Sequence, residues 1–470
     1  MIRVLEISNH ALFWYYLGSN VAYLVMLAVA LKTSAAHQRR LESHRLGWIK
    51  ESPLAPPITI IVPAHNEEGS IRVALRNLLE LDYPELEFIV VNDGSQDRTL
   101  GELREEFHLR PVRALEVLDV KSAPIRGLYR SSVDLRLLVV DKESGGSKAD
   151  AVNAGLNAAT SPYVCVVDAD SVLERDALLR IMVPVLADPK RVVAVGGIIR
   201  VLNGSGIANG QLTRIRLPRK SIEVIQVIEY LRSFLIGREA WAQGNMLMII
   251  SGAFGVFRTD LVRAVGGYRA EAIGEDFDLV ARMHRHLRQK RADYSIDFVP
   301  DPMCWTEVPS DLKSLGRQRA RWQKGLWDVL WKSRDMLFRK RYGRIGWFAL
   351  PYLWLFEWAA PAVEIGGLGT MALAATLGAL SRGFFLQFLL FGYAFATVIS
   401  IGSVLQEEIT YKRYNDWQDV VRLVSYCFLE HFPYRQMHML WRLRGMWQYL
   451  RGDNTWAPLK RKGMQSASVP

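Results

Sequence analysis

Five short polar segments carry the residues whose types and spacing could do chemistry. In chain order they are VNDGSQD at 91–97, GGSKAD at 145–150, DAD at 168–170, GED at 274–276 and QRARW at 318–322. Together they offer carboxylates for a divalent cation, basic groups for phosphate and a further carboxylate that could act as a base. This inventory predicts a metal-dependent transfer of a sugar from a nucleotide donor.

The DAD segment is the predicted metal site. Asp168 and Asp170 are separated by one residue at the end of an apolar run, so both carboxylates can reach one ion. Mg²⁺ or Mn²⁺ on these oxygens would neutralise the charge that develops on a leaving diphosphate. The alternative interpretation is an acidic pair that only faces solvent.

Two other segments are predicted to contact the nucleotide. Asp93 lies in an Asn-Asp-Gly-Ser turn, where its carboxylate could accept a hydrogen bond from the uracil N–H. Lys148 follows a glycine pair that permits close backbone approach, and its ammonium can meet a phosphate or a base carbonyl. The segment lacks the G-x-x-x-x-G-K-[ST] pattern and is not a P-loop.

The GED segment is predicted to serve the acceptor, and the QRARW segment is predicted to serve both the donor and the acceptor. Asp276 is the candidate general base, with Glu275 as a neighbour that orients it or shifts its pKa. The alternative is that Asp276 only caps the helix that follows. Arg321 can contact the diphosphate, and Trp322 can stack on a sugar face.

An alternating α/β pattern must position these residues. Short β-branched runs at 58–62, 87–92, 135–141 and 163–168 are separated by stretches with helical periodicity, such as 67–81. Runs that are apolar on both faces predict a mainly parallel sheet covered by helices, with ligands beyond the carboxyl ends of its strands. A polar turn that closes each strand is the alternative reading of any one segment.

Composition and hydropathy indicate a membrane location. The chain has 470 residues, 50% of them hydrophobic, and a net charge of +11, which suits lipid headgroups, nucleotide phosphates or nucleic acid. Residues 11–31 carry no charge and are long enough to cross a bilayer. The basic residues follow this span, so the amino terminus is predicted outside and the next segment inside. The three cysteines lie far apart and indicate neither disulfides nor a zinc site.

The carboxyl-terminal third is predicted to return to the membrane. Residues 311–344 are basic with apolar residues at helical spacing, which favours an amphipathic helix on the membrane surface over a solvated helix packed on the domain. Residues 384–405 are a predicted span, and 347–380 are a predicted interfacial or kinked entry followed by a span that ends near Leu380. For residues 418–440 the charged residues favour an interfacial helix over a further span. The predicted units are a transmembrane helix at 1–31, a basic cytoplasmic linker at 32–57, a catalytic domain at 58–310, amphipathic interface helices at 311–345, transmembrane helices at 346–406 and a cytoplasmic or interfacial tail at 407–470.

These segments resemble the membrane-embedded, processive family 2 glycosyltransferases, which include the synthases of cellulose, hyaluronan and poly-N-acetylglucosamine. The matching segments span about 58–326 and are PAHNEE, VNDGSQD, GGSKADAVNAG, VDADS, SGAFGVFR, VGGY, GEDFDL, WTEVP and QRARWQKGL. The layout is most similar to the poly-N-acetylglucosamine synthases. The resemblance implies a GT-A type, Rossmann-like α/β domain in the cytosol with a small transmembrane region in the plasma membrane.

The resemblance also implies roles for individual residues. Ala64, Glu67, Asp93 and Lys148 would contact the nucleotide, and Asp168 and Asp170 would contact both the nucleotide and the metal. Asp276 would be the base, while Gln318, Arg321 and Trp322 would serve the donor diphosphate and the acceptor terminus. GGSKAD departs from the shorter GGKA form by an extra serine, which bears on the role of Lys148.

The implied reaction is an inverting transfer from a UDP-sugar to a growing polysaccharide that leaves through the membrane helices. The implied partners are that donor, the polysaccharide, membrane lipids and accessory export or modification proteins, with no nucleic acid. A non-processive transferase that acts on a lipid or polyprenyl carrier is the alternative, since it would share Asp93, Asp168, Asp170 and Asp276. An inactive polysaccharide receptor or assembly subunit is a third hypothesis, against which the intact acidic set argues.

Overall fold

The computed structural model describes residues 2–43, 46–52, 54–113, 119–208, 211–378, 382–414 and 416–453. Several features considered in the sequence lie outside the described residues, among them the basic Arg45, the polar break at Ser381 and the tail beyond residue 453.

A mixed sheet forms the centre of the described residues. Its ten strands run in the order β3-β4-β5-β2-β1-β6-β11-β8-β12-β7, and β9 pairs with β10 in a separate ribbon. The strands are β1 Ile58–Ala64, β2 Leu86–Asp93, β3 Leu109–Val112, β4 Ile125–Ser131, β5 Leu137–Lys142, β6 Tyr163–Val167, β7 Ser171–Leu173, β8 Val192–Val201, β9 Gly206–Ala208, β10 Gln211–Arg214, β11 Phe254–Arg258 and β12 Ser295–Thr306.

The four predicted strands are confirmed as the adjacent parallel strands β5, β2, β1 and β6. Their side chains are almost all buried, as expected for β-branched runs covered by helices on both faces. The antiparallel strands on either side, such as β11 between β6 and β8, were not predicted. Their runs alternate less regularly, and β12 shifts register along its length.

Helices cover this sheet and extend away from it. They are α1 Ile2–Ser43, α2 Gly47–Lys50, α3 Ile71–Leu79, α4 Thr99–Phe107, α5 Lys148–Ala158, α6 Ala177–Ile181, α7 Val183–Ala187, α8 Ser221–Tyr230, α9 Glu239–Gln243, α10 Thr259–Ala264, α11 Glu275–Gln289, α12 Leu312–Lys332, α13 Leu350–Tyr352, α14 Ala360–Thr376, α15 Arg382–Thr410, α16 Trp417–Leu429 and α17 Tyr434–Leu450. The predicted helix at 67–81 is α3, which begins only after the Gly69-Ser70 turn.

Two helices are long and apolar enough to cross a membrane, by length and composition alone. They are Ile7–Ser34 within α1 and Leu389–Thr410 within α15, at the two places where the sequence predicts its plainest spans. π-helical turns at Ile345–Ala349 and Leu353–Trp358 precede α14, in the stretch where the sequence predicts an interfacial or kinked entry. Because α14 has 17 residues, a third crossing stays a prediction.

The basic amphipathic helix predicted at 311–344 corresponds to α12 and the short turns that follow it. Leu315 and Leu330 in its apolar stripe are fully buried against the rest of the protein, whereas Trp322 and Trp331 are exposed. Part of the stripe is therefore used for packing, and the membrane-surface position of this unit stays a prediction. The prediction of a single helix at 418–440 was wrong, because Pro433 separates α16 from α17.

Candidate active site

The predicted site residues meet around one large cavity at the carboxyl ends of the parallel strands. The cavity has a volume of about 1740 Å³. Among its lining residues are Ala64, Glu67, Asp93, Lys148, Asp168, Glu275, Asp276, Gln318, Arg321 and Trp322. Asp170 is the remaining predicted residue, and its side chain is buried next to Asp168 and Ala169. The structure therefore brings the five segments together, while the role of each residue stays a prediction.

Asp93 is held in place by a buried lysine that sequence reasoning missed. Lys142 ends β5 directly opposite Asp93 in the parallel register. Its ammonium donates to Asp93 Oδ1 at 2.5 Å and also pairs with the Asp150 carboxylate at 2.6 Å, although the Lys142 side chain is 0% exposed. The Gly145 amide donates to the same Asp93 oxygen at 3.0 Å. The Lys142 ammonium and the Gly145 amide therefore fix the orientation of the Asp93 carboxylate before any nucleotide binds.

The turn after Asp93 brings two loops into backbone contact. Gly94 has φ of +62°, in the left-handed region, and a Cβ at this position would lie 2.7 Å from the Ser144 amide nitrogen. The loop after β1 joins the same turn, because the His65 ring contacts the Asp93 carbonyl at 2.7 Å. The Glu67 amide donates to Thr99 Oγ1 at 2.8 Å. Glycine at 94 therefore allows the predicted nucleotide loops to pack together.

Lys148 opens α5 and points at the DAD segment. Its ammonium forms an ion pair with Asp168 Oδ1 and donates to the Gly252 carbonyl at 2.7 Å. Burial lowers the pKa of the amine, but the neighbouring Asp168, Glu275 and Asp276 carboxylates outweigh burial, so the net pKa is raised. The group stays charged at neutral pH.

The extra serine of GGSKAD has a local structural role. Ser147 is the N-cap of α5, and its side-chain oxygen accepts a hydrogen bond from the Asp150 amide at 3.3 Å. Lys148 is consequently the first residue of the helix, with its side chain directed into the cavity. The insertion is therefore compatible with a Lys148 that faces the donor site.

Asp276 lies in the first turn of α11, and Gly274 is the N-cap. Its Oδ2 accepts from the Gly252 amide at 3.1 Å, and its Oδ1 accepts from the Phe277 amide at 2.8 Å. The side chain therefore stabilises the helix start and also faces the cavity, so the two interpretations of Asp276 are compatible. Burial, and then the Asp276 charge, raise the pKa of Glu275.

The turn that carries the candidate base touches α12 through two glycines. A Cβ on Gly325 would lie 3.2 Å from the Gly274 Cα, and a Cβ on Gly274 would lie 3.4 Å from the Gly325 Cα. No side chain separates the two backbones at this point. The position of Asp276 relative to Trp322 is set by this contact.

The acceptor end of the cavity is built on α12. Trp322 is 44% exposed, and the Arg319 guanidinium lies 4.3 Å from its ring centroid. Arg319 is itself fixed by Glu229 at 2.5 Å. The buried Oε1 of Gln318 has no hydrogen-bond partner among the described residues. This oxygen can therefore accept a hydrogen bond from a ligand in the cavity.

Carboxyl-terminal residues that the sequence did not single out support this end. Arg442 Nε donates to Gln323 Oε1 at 2.8 Å, and its guanidinium lies 3.9 Å from the Glu357 carboxylate. The Tyr23 hydroxyl of α1 donates to Glu357 Oε1 at 3.0 Å. These residues line the same cavity, which therefore continues from the sheet to the apolar helices. No local pattern marks Arg442, whereas Lys142 could have been found from its register opposite Asp93.

The two carboxylates of the DAD segment suit a divalent ion whose coordination the donor phosphates would complete. No group of three or more His, Cys, Asp or Glu side chains is arranged to hold a metal within the described residues. Mg²⁺ is usually held by one or two carboxylates together with substrate phosphates and water, so two aspartates are sufficient. The Asp168 carboxylate is paired with the Lys148 ammonium in this structure.

Known proteins are similar to this chain in sequence and in fold. The model of the family described as glycosyltransferase like family 2 matches residues 56–325. Poly-beta-1,6-N-acetyl-D-glucosamine synthase of Staphylococcus epidermidis is 29% identical over 273 residues, which cover 58% of this chain and 55% of that protein. The Staphylococcus aureus synthase of the same name is 31% identical over 275 residues, with the same shares. The chain therefore spans about half the length of these curated relatives.

A solved structure supports the fold. A mannosyltransferase from Pyrobaculum calidifontis, in complex with GDP-mannose and Mn²⁺, superimposes with a TM-score of 0.50 and 24% identity over 86% of this chain and 98% of that chain. This likeness confirms the GT-A type fold. Since the family model covers more than half of the chain, the protein belongs to the family 2 glycosyltransferases and is a glycosyltransferase.

Proposed function

We propose that the protein is a processive, inverting glycosyltransferase that adds sugar from UDP-N-acetylglucosamine or UDP-glucose to a growing exopolysaccharide. The observation that carries this proposal is the continuity of the 1740 Å³ cavity. Asp93 and Asp276 line it beside the sheet, and Tyr16 and Glu364 line it among the apolar helices. A polymer extended beside Trp322 would have a continuous path toward the membrane helices. The similarity to poly-N-acetylglucosamine synthases supports a polymeric product.

Each end of the cavity has a part in the proposed reaction. Asp93 would accept the uracil N–H, Ala64 and Glu67 would flank the nucleotide, and Lys148 would contact its phosphates. Asp168 and Asp170 would hold Mg²⁺ or Mn²⁺, which supplies charge neutralisation for the diphosphate.

Acceptor activation would take place at Asp276. Its carboxylate would take the proton of the acceptor hydroxyl as that oxygen bonds to the anomeric carbon and UDP leaves. Arg321 would contact the diphosphate, Gln318 would bind the acceptor, and Trp322 would support the terminal sugar by stacking. The two amides that hold Asp276 keep its carboxylate at a fixed position during this step.

The proposed location is the plasma membrane, with several crossings and a cytoplasmic catalytic domain. The two candidate spans in α1 and α15 support this location by length and composition. The proposed partners are the UDP-sugar, the polysaccharide, lipids and accessory export or modification proteins.

The proposal is tested by supplying the full chain in nanodiscs with a panel of UDP-sugars and Mg²⁺ or Mn²⁺. UDP release and product size are measured together. A long polymer is the expected result. A single-sugar lipid adduct would show a non-processive transferase, and no turnover with any donor would favour a receptor or assembly subunit.

A pair of variants tests the path through α1. Ser19 lines the cavity, whereas Val25 on the same helix is 56% exposed and points away from it. Ser19→Trp is expected to shorten the polymer while short-acceptor transfer persists, because the bulky ring narrows the exit. Val25→Trp is the matched control. Equal product lengths in the two variants would contradict export along this cavity.

A further inference from the structure

A second cavity, which we call the arginine pocket, lies at the opposite edge of the sheet from Asp168. It has a volume of about 360 Å³ and is lined by Arg191, Arg288, Asp293 and Arg344. β8 begins beside Arg191, antiparallel to β11, which is in turn antiparallel to β6. The start of β8 therefore faces away from the strand ends that carry the candidate active site.

The arginine pocket has an excess of positive charge. Arg191 is neutralised by Asp293 at 2.9 Å. The Arg288 guanidinium lies 5.3 Å from the Tyr294 ring centroid, and its buried Nε has no hydrogen-bond partner among the described residues. Arg344 is exposed at the rim. A buried donor without an acceptor among the described residues, in a pocket that the exposed Arg344 also lines, suits an anionic group such as a phosphate.

Exposed aromatic residues flank the arginine pocket, and we call them the aromatic rim. The rim consists of Phe338, Trp347 and Phe348, which are 58%, 48% and 63% exposed. The rings of Phe338 and Trp347 pack edge to face at 5.5 Å. Arg339, Lys340 and Arg341 lie between them in the chain. Large apolar rings beside basic residues are typical of surfaces that sit at the headgroup level of a bilayer.

The neighbourhood favours a bilayer over a soluble partner. Directly after the aromatic rim, Tyr352 packs against Trp241 with ring centroids 4.9 Å apart, and Trp241 packs against Met26 and Leu27 of α1. Met26 and Leu27 belong to the candidate span Ile7–Ser34. The segment that follows the aromatic rim in the chain thus packs, through Trp241, on a helix that is suited to cross a membrane.

We propose that the arginine pocket and the aromatic rim form a docking site for an anionic phospholipid. The phosphodiester pairs with Arg288 and Arg344, and the rings of the aromatic rim enter the boundary between headgroups and acyl chains. Each arginine is expected to contribute about fivefold to the affinity. The site is separate from the transfer reaction, and its test requires no turnover.

The test uses the purified full chain in a zwitterionic detergent with three soluble probes: dioctanoyl phosphatidylglycerol, dioctanoyl phosphatidylcholine and inorganic phosphate. Binding is followed by hydrogen exchange in 334–348. Phosphatidylglycerol is expected to slow exchange there at concentrations where the other two probes do not. Equal protection by phosphatidylcholine, or by inorganic phosphate alone, would overturn the proposal.

Variants assign the effect to the pocket. Arg288→Gln with Arg344→Gln is expected to weaken phosphatidylglycerol binding about 25-fold. The matched control is Arg110→Gln with Arg214→Gln, two exposed arginines on other strands. The single Arg344→Gln change at the exposed rim serves if the double variant fails to fold, with a loss of about fivefold expected. Wild-type affinity in the pocket variants contradicts the proposal.

Discussion

The two ends of the large cavity are built differently. At the donor end, Asp93, Lys142 and Asp150 form a buried ion-paired cluster within one sheet and the helix that follows it. At the acceptor end, Trp322 is exposed, and α12 is fixed by Arg442 and Glu357 from later helices. The donor end is therefore complete within the catalytic domain, whereas the acceptor end depends on contacts with the apolar helices.

This difference suits the two ligands of the proposed reaction. A nucleotide has one shape and is best met by preorganised charges, which lose little free energy to reorganisation. A polymer must slide after each addition, so an exposed stacking surface such as the Trp322 ring suits its end better. α11 joins the two ends, because it carries Asp276 and touches α12 at Gly325.

The largest effect is expected from the base between the two ends. Asp276→Asn should lower sugar transfer by about 10²- to 10⁴-fold, because an amide cannot accept the acceptor proton. UDP binding, which depends on the donor end, should be unchanged. Turnover is measured by UDP release and binding by calorimetry. Asp260→Asn, in an exposed pair with Arg258, is the control. Near-wild-type turnover would remove Asp276 as the base.

The next effect tests whether paired charges hold the donor end. Lys142→Met leaves the Asp93 and Asp150 carboxylates buried without their cation, which should cost about 3–5 kcal/mol of stability. The thermal unfolding midpoint in detergent reports the loss. Lys50→Met removes the exposed pair with Asp82 and should cost less than about 1 kcal/mol. A Lys142 variant as stable as the Lys50 variant would show that this cluster does not hold the donor end.

A pH effect tests how α11 is anchored between the ends. His284 is fully buried and contacts Tyr294 and the Leu247 carbonyl, and burial lowers its pKa to about 4. Between the unfolded value near 6.5 and this folded value, the unfolded chain binds a proton that the fold excludes, so stability falls as pH drops.

The protonation of His284 in the unfolded chain lowers the free energy of unfolding by about 3 kcal/mol once the pH has reached the folded pKa. The unfolding midpoint of the wild type should fall more steeply from pH 6.5 to pH 4 than that of His284→Gln. Carboxylates titrate in the same pH range in both proteins, so only the difference between the two curves reports on His284. Parallel curves would argue that His284 is already protonated in the folded protein.

The smallest effect tests the backbone contact between Gly274 and Gly325. In Gly325→Ala the new methyl lies 3.2 Å from the Gly274 Cα and should push the base a few tenths of an ångström from α12. Turnover is expected to fall about tenfold, since small misplacements weaken proton transfer, while UDP affinity stays the same. Gly101→Ala, in a helix with open space around the new methyl, is the control and should be slightly stabilising. Equal turnover in both variants would show that sugar transfer tolerates this displacement of Asp276 from α12.

The donor end could be predicted from sequence because its signals are local. The β-branched runs predict the parallel strands, and parallel strands bring Asp93 and Asp168 to one edge. The strands β8, β11 and β12 were missed because glycines interrupt the runs of β8 and β11 and prolines interrupt the run of β12, so they lack an unbroken β-branched pattern. Arg442 was missed because no local pattern connects it to its partner Gln323, 119 residues away in the chain.

The glycine contact between Gly274 and Gly325 also decides which routes are open. With the two backbones in contact, nothing can pass between the base turn and α12. In the proposed reaction the exposed loops around Asn66 and Gly146 are then an available route for the spent nucleotide, while the lengthened chain would move along α1. Fresh donor would enter and the polysaccharide would leave by separate routes. A polysaccharide that stays bound would therefore not block the exchange of nucleotides.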